Sequence, residues 1–157
     1  MTSRRTFLTA ALSLPALYLT QHPALAAIPE FFNTDGLGAS GYDVVAYFAQ
    51  SDAVAGDEQF SLQWKGAVWR FGSGENMAMF ESYPRAFAPQ YGGYCAFAMA
   101  KGAIARSVPA AWTVYEGKLY LNQSRIVRAL RKRDIPCLFA AAGKVWPVIL
   151  QRECEVS

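Results

Sequence analysis

The segment Pro89-Gln90-Tyr91-Gly92-Gly93-Tyr94-Cys95-Ala96-Phe97-Ala98-Met99-Ala100-Lys101-Gly102 gathers the side chains best suited to chemistry. It sets two tyrosines, a thiol and a thioether beside a Gly-Gly pair. Paired glycines let the chain take φ > 0 or pass close to another group. The small and apolar residues from Tyr94 to Lys101 predict one or two helical turns, which Gly102 would end. On such a helix Cys95 and Met99 share a face. Two soft sulfur ligands at that spacing suit Cu(I) or another soft metal better than Mg²⁺ or Ca²⁺. One cysteine and one methionine are at most half of such a site. The same pair also fits a packed core, with Cys95 a small buried hydrophobe and Met99 a gap-filler. Tyr91, Gly92, Gly93 and Tyr94, with Asp43 and Trp112, are the candidate lining of a pocket; no residue is assigned a catalytic role.

The rest of the chain narrows that chemistry. Residues 1–26 read as an export signal: Ser3-Arg4-Arg5-Thr6-Phe7-Leu8 is a twin-arginine motif, and an apolar run follows from Thr9 to Leu19. The run is shorter than the roughly 20 residues a bilayer-spanning helix needs. Ala24-Leu25-Ala26 offers a small-x-small cleavage site before Ala27. The alternative is an uncleaved N-terminal anchor. The expected partner is the twin-arginine export machinery, the origin bacterial and the destination periplasmic. Cleavage removes His22, the one histidine, and leaves 131 of 157 residues with no imidazole. A Ser-His-Asp or Cys-His hydrolase, a His-ligated zinc site and a blue-copper site are thereby excluded. The formal charge of +3 falls to +1 without Arg4 and Arg5. That gives no electrostatic case for nucleic acid or an anionic membrane. No integral membrane segment is expected after cleavage.

Several elements must position the chemistry. Residues 27–40 are a Pro- and Gly-punctuated lead-in, expected to wrap the surface with Phe31 or Phe32 tucked in. Gly41-Tyr42-Asp43 reads as a turn, Val44–Phe48 as a buried strand or a single helical turn, and Gln50–Glu58 as a loop. Phe60–Trp64 and Val68–Phe71 around Lys65-Gly66 predict a β-hairpin, as do Trp112–Tyr115 and Lys118–Leu121 around Glu116-Gly117. Ser73 is a credible N-cap for a helix reaching about Ser82, with Glu75 in its first turn. Met77, Phe80 and Tyr83 are its expected core stripe. Another helical turn is expected over Pro84–Phe87. Ala103–Pro109 reads as a loop. Asn122 can cap a helix from Gln123 to about Lys132, whose basic face is either an anion or partner patch or a solvated surface. A last helix starts at Asp134-Ile135-Pro136 and reaches about Leu150, with interruptions expected near Gly143 and Pro147. Residues 151–157 form a polar tail.

Together, Gly41-Tyr42-Asp43-Val44-Val45-Ala46-Tyr47-Phe48, Trp64-Lys65-Gly66-Ala67-Val68-Trp69-Arg70-Phe71, Ala88-Pro89-Gln90-Tyr91-Gly92-Gly93-Tyr94-Cys95-Ala96, Gly117-Lys118-Leu119-Tyr120-Leu121-Asn122 and Trp146-Pro147 resemble the exported, stand-alone branch of the YHS-domain family. The resemblance covers about Asp35 to Leu150. It implies an α+β domain over 41–150, with a small antiparallel sheet of two β-hairpins packed with helices, and a metal-binding role. The relatives' thiols would fall on Ala46, Gly72 and Asn76, so a metal site of their type cannot form. Metal would move to Cys95, helped by Met99, Met77, Met79, Asp43, Glu75 or a tyrosine oxygen.

Three functions are consistent with these residues. The first is a periplasmic soft-metal module built on Cys95 and Met99, completed within one chain or by a second Cys95 in a homo-oligomer. The second is a metal-free ligand- or partner-binding scaffold in which Cys95 is structural. The third is a thiol-dependent redox enzyme, but the chain has no Cys-x-x-Cys and no histidine to activate Cys95. A Cys137–Cys154 disulfide is conceivable only if the chain doubles back, since continuous helix would hold the two about 25 Å apart.

Overall fold

The computed structural model describes residues 28–125 and 135–151, and in it the lead-in before Gly41 is already part of a sheet. Asn33–Thr34 (β1) and Leu37–Gly38 (β2) form a tight antiparallel pair turning at Asp35-Gly36. Phe31 is buried, as one of the two expected aromatics had to be. Asp57–Trp64 (β3) and Ala67–Phe71 (β4) pair antiparallel across Lys65-Gly66, with Trp64 opposite Ala67. The β2 strand then joins β4 in parallel, giving the order β1-β2-β4-β3. This contact needs a glycine: a Cβ on Gly38 would lie 2.9 Å from the Trp69 indole.

The second hairpin, Val108–Tyr115 (β5) with Lys118–Asn122 (β6), is a separate two-stranded sheet. The protein is therefore α+β, but its hairpins do not share one antiparallel sheet, and the larger sheet is mixed. Two expected loops are also shorter than anticipated. Asp57 and Glu58 belong to β3, and Val108 and Pro109 to β5.

Short helices fill the connections. Val44–Phe48 resolves as a turn of helix, Ala46–Ala49 (α1). Gly74–Ser82 (α2) starts where Ser73 accepts a hydrogen bond from the Asn76 N–H at 3.2 Å. Its inner face is Asn76, Met77 and Phe80. Tyr83, expected to extend that stripe, is 68% exposed because the helix ends before it and its backbone leaves the helical region. Pro84–Phe87 (α3) and Ala96–Ala100 (α4) follow, with Cys95 as the residue capping α4 and Gly102 at φ 76° beyond its end. The last helix, Ile135–Gln151 (α5), runs without a break through Gly143 and Pro147. Pro147 has no N–H to give to the carbonyl four residues back. That carbonyl belongs to Gly143, and the helix absorbs the missing bond without interruption. Among the described residues no helix is long and apolar enough to cross a membrane.

Two hydrophobic cores result. One is aromatic: Trp69 stacks on Phe80 at 5.3 Å, Trp64 meets Phe80 edge-on at 5.5 Å, and Phe31 meets Trp64 at 5.0 Å. Full burial of each such ring contributes about 2–3 kcal/mol. The other holds Tyr91, Tyr94, Met99, Tyr120, Phe139, Ala142 and Ile149. The β6 strand is the wall between them. Leu119 and Leu121 face the first core and Tyr120 the second, as alternation along a strand requires. The expected export signal over residues 1–26, Cys154, the tail beyond 151 and most of the helix expected over 123–132 lie outside the described residues.

Candidate functional site

The Gly-Gly segment folds as a left-handed turn. Pro89 holds an extended backbone, and Tyr91, Gly92 and Gly93 then follow at φ 53°, 61° and 77°. Glycine is the residue that tolerates this region. Tyr91 is a bulky residue in it, so its side chain must be tied from outside. Its hydroxyl donates to the Phe139 carbonyl of α5 at 2.7 Å, and its ring lies 5.8 Å from that of Tyr120. Neighbouring groups are committed in the same way. The Gly92 carbonyl accepts from the Phe32 N–H at 2.8 Å, the Gly93 carbonyl from the Ser107 hydroxyl at 2.6 Å, and the Tyr94 hydroxyl donates to the Pro29 carbonyl at 2.9 Å. One short turn thus ties the lead-in, α5 and the approach to β5 together.

Burial, with a smaller contribution from Tyr120, pushes the Tyr91 phenol up from 10.0 to about 12. Burial also pushes up the Tyr47 phenol, which donates to the Pro109 carbonyl at 3.1 Å. A folded-state pKa above the unfolded value contributes stability that is complete below the unfolded pKa and lost as pH rises through the folded one. Denaturation by urea should therefore show wild-type stability falling from pH 10 toward about 12. Tyr91→Phe should flatten that fall; an unchanged slope would show that Tyr91 does not titrate as a buried phenol.

Cys95 and Met99 do share one turn of α4: the Met99 N–H donates to the Cys95 carbonyl at 3.0 Å. Both side chains are buried, at 1% and 0% exposure, and the Cys95 N–H is taken by the Ala105 carbonyl at 2.9 Å. Met99 packs into the second core. Among the described residues no three His, Cys, Asp or Glu side chains come together to hold an ion. Cys95 therefore has no cluster of His, Cys, Asp or Glu side chains with it among the described residues.

Asp43 is occupied elsewhere. Its Oδ1 accepts from the Val45 and Ala46 N–H groups at 2.8 and 3.2 Å. Its Oδ2 accepts from the Gly72 N–H at 2.8 Å and the Asn76 side-chain amide at 2.6 Å. The carboxylate is fully buried. Ala46, Gly72 and Asn76, far apart along the chain, thus meet in space. They meet as hydrogen-bond donors around one carboxylate. Trp112 packs on Tyr47 at 5.5 Å.

The six expected pocket residues are spread over different parts of the fold. Tyr91 and Gly92 line a cleft; Asp43 and Trp112 belong to the first core region, while Gly93 and Tyr94 are buried behind the turn. The cleft has a volume of about 400 Å³. Its aromatic wall is Phe31, Trp64, Tyr91 and Trp146, and its charges are Glu30, Lys65 and Arg85. Lys65 pairs with Glu30 at 3.2 Å. A second hollow of about 360 Å³ shares Gln90, Tyr91 and Gly143 with it and carries Glu116 and Lys118. Trp64, Lys65 and Trp146 stand in runs singled out in the sequence, but nothing in their spacing links them to the Gly-Gly turn. Comparison with family models, with curated proteins and with solved structures finds no match to this chain.

Proposed function

We propose that this protein is a metal-free binding module, exported to the periplasm, that holds a small ligand in the cleft over Tyr91 and Gly92. The scaffold we take to be YHS-like, on the motifs around Asp43, Ser73 and Tyr91. One observation carries the reading: beside the paired glycines, Tyr91 and Gly92 line a cleft of about 400 Å³, whereas Cys95 lines neither it nor the adjoining hollow and is buried at 1% exposure. The cleft has the size of a small-molecule site, and its lining mixes the aromatic Phe31, Trp64, Tyr91 and Trp146 with the polar Glu30, Lys65, Arg85 and Gln90. Cys95 then serves as packing at the start of α4.

An anaerobic Cu(I) titration of wild type and Cys95→Ala tests this. Equal Cu(I) uptake by both proteins is expected, together with an organic mass retained in native mass spectrometry that Trp146→Ala loses. A Cu(I) ion bound by wild type and lost in Cys95→Ala would replace the reading with the soft-metal one, whether the site forms in one chain or between two.

A further inference from the structure

We infer that the ligand of the Tyr91–Gly92 cleft is a small planar organic anion, an aromatic ring carrying a carboxylate. This rests on the reading that the cleft is the binding site. Its charges are unequal. Glu30 is engaged by Lys65 at 3.2 Å, which leaves Arg85. Arg85 sits in the last turn of α3, exposed at the cleft, and has no carboxylate partner among the described residues. Among the described residues the cleft lining therefore carries one positive charge in excess. A guanidinium presents a rigid fork that matches a carboxylate through two parallel hydrogen bonds. The adjoining hollow has no such excess, because Glu116 and Lys118 cancel. An anion is thus drawn to the Arg85 side.

The walls select a flat ring. Trp64 and Trp146 are half-buried, each leaving part of its indole facing the cleft. Aromatic faces of this kind gain from ring-on-ring contact beyond simple area burial. The floor is Gly92, where a Cβ would run into the Glu30 carbonyl and lie 2.9 Å from the Trp146 ring. The glycine thus brings the chain close beneath Trp146. A neutral ring would leave Arg85 unengaged, an aliphatic acid would use the aromatic wall poorly, and a cation would meet like charge.

Isothermal titration calorimetry with 2-naphthoate, 2-naphthamide and cyclohexanecarboxylate tests the inference on the exported protein. Naphthoate should bind at least about tenfold more tightly than either of the others, as expected for a charge-assisted contact. Arg85→Gln should weaken naphthoate about tenfold and leave naphthamide unchanged. Lys118→Gln should change neither. Because Arg85 is exposed, loss of fold is not expected, and circular dichroism checks it. Equal binding of naphthoate and naphthamide, with Arg85→Gln silent, would overturn the anion inference and leave the cleft reading standing. No binding of any probe at millimolar concentration, with no shift of the Tyr91 or Gly92 amide resonances, would overturn both.

Discussion

Asp43→Ala is expected to destabilise the protein by at least about 3 kcal/mol, measured by urea denaturation. The carboxylate satisfies four donors at once. The Gly72 N–H belongs to an exposed residue and can turn to water. The Val45 and Ala46 N–H groups and the Asn76 amide are buried and cannot. Each buried donor left without a partner costs about 1–3 kcal/mol. A stability of about 5–15 kcal/mol is typical of a domain, so this one change takes a large share of it. Asp43→Asn should cost less, about 2 kcal/mol, because one oxygen still serves Val45 and Ala46 while its new NH₂ faces the donors of Gly72 and Asn76. Adding Asn76→Leu to Asp43→Ala should recover part of the loss, since removing both partners of a buried bond is cheaper than removing one. A loss below about 1 kcal/mol for Asp43→Ala would mean that α1, β4 and α2 are not tied through this group.

Gly92→Ala should be the next most damaging change, at about 3 kcal/mol or more. The backbone there is left-handed at φ 61°, which costs an L-residue with a side chain about 1–2 kcal/mol. The added methyl would also collide with the Glu30 carbonyl and press on Trp146. Backbone cannot move aside as a flexible side chain can, so the lead-in would have to shift and the Phe32 N–H bond to the Gly92 carbonyl with it. Gly117→Ala is the matched control. It has a similar φ of 71°, but nothing lies within 4 Å of its would-be Cβ. It should cost only about 1 kcal/mol. If the two alanine variants lose the same stability, the close approach at Gly92 is not what holds the turn, and the cleft floor is not fixed by it.

Local chemistry made much of the fold legible. Period-two alternation in Phe60, Leu62 and Trp64, with Lys65-Gly66 between the runs, was enough for the first hairpin, because a half-buried strand must alternate. Ser73 before an apolar stretch was enough for the start of α2, because a hydroxyl there satisfies an orphan N–H. Where neighbours decide, that logic stopped. Tyr83 has the right spacing for a core stripe but falls after the last helical residue. Leu37-Gly38 is too short to read as a strand and becomes one only because β4 lies beside it. Cys95 looks equally like ligand or packing in sequence; its near-complete burial is set by what surrounds α4.

Sequence alone determined an α+β chain with two hairpins, a glycine pair at Gly92-Gly93 free to take φ > 0 or a close approach, and no imidazole beyond His22 for acid–base or metal chemistry. These are properties of residue type and near-neighbour spacing. Only the tertiary structure decided that Glu30, Trp64, Arg85, Tyr91 and Trp146 line one cleft, and that Ala46, Gly72 and Asn76 meet at Asp43. Those residues are far apart along the chain. Their meeting depends on how the sheets and α5 pack, which no local pattern encodes.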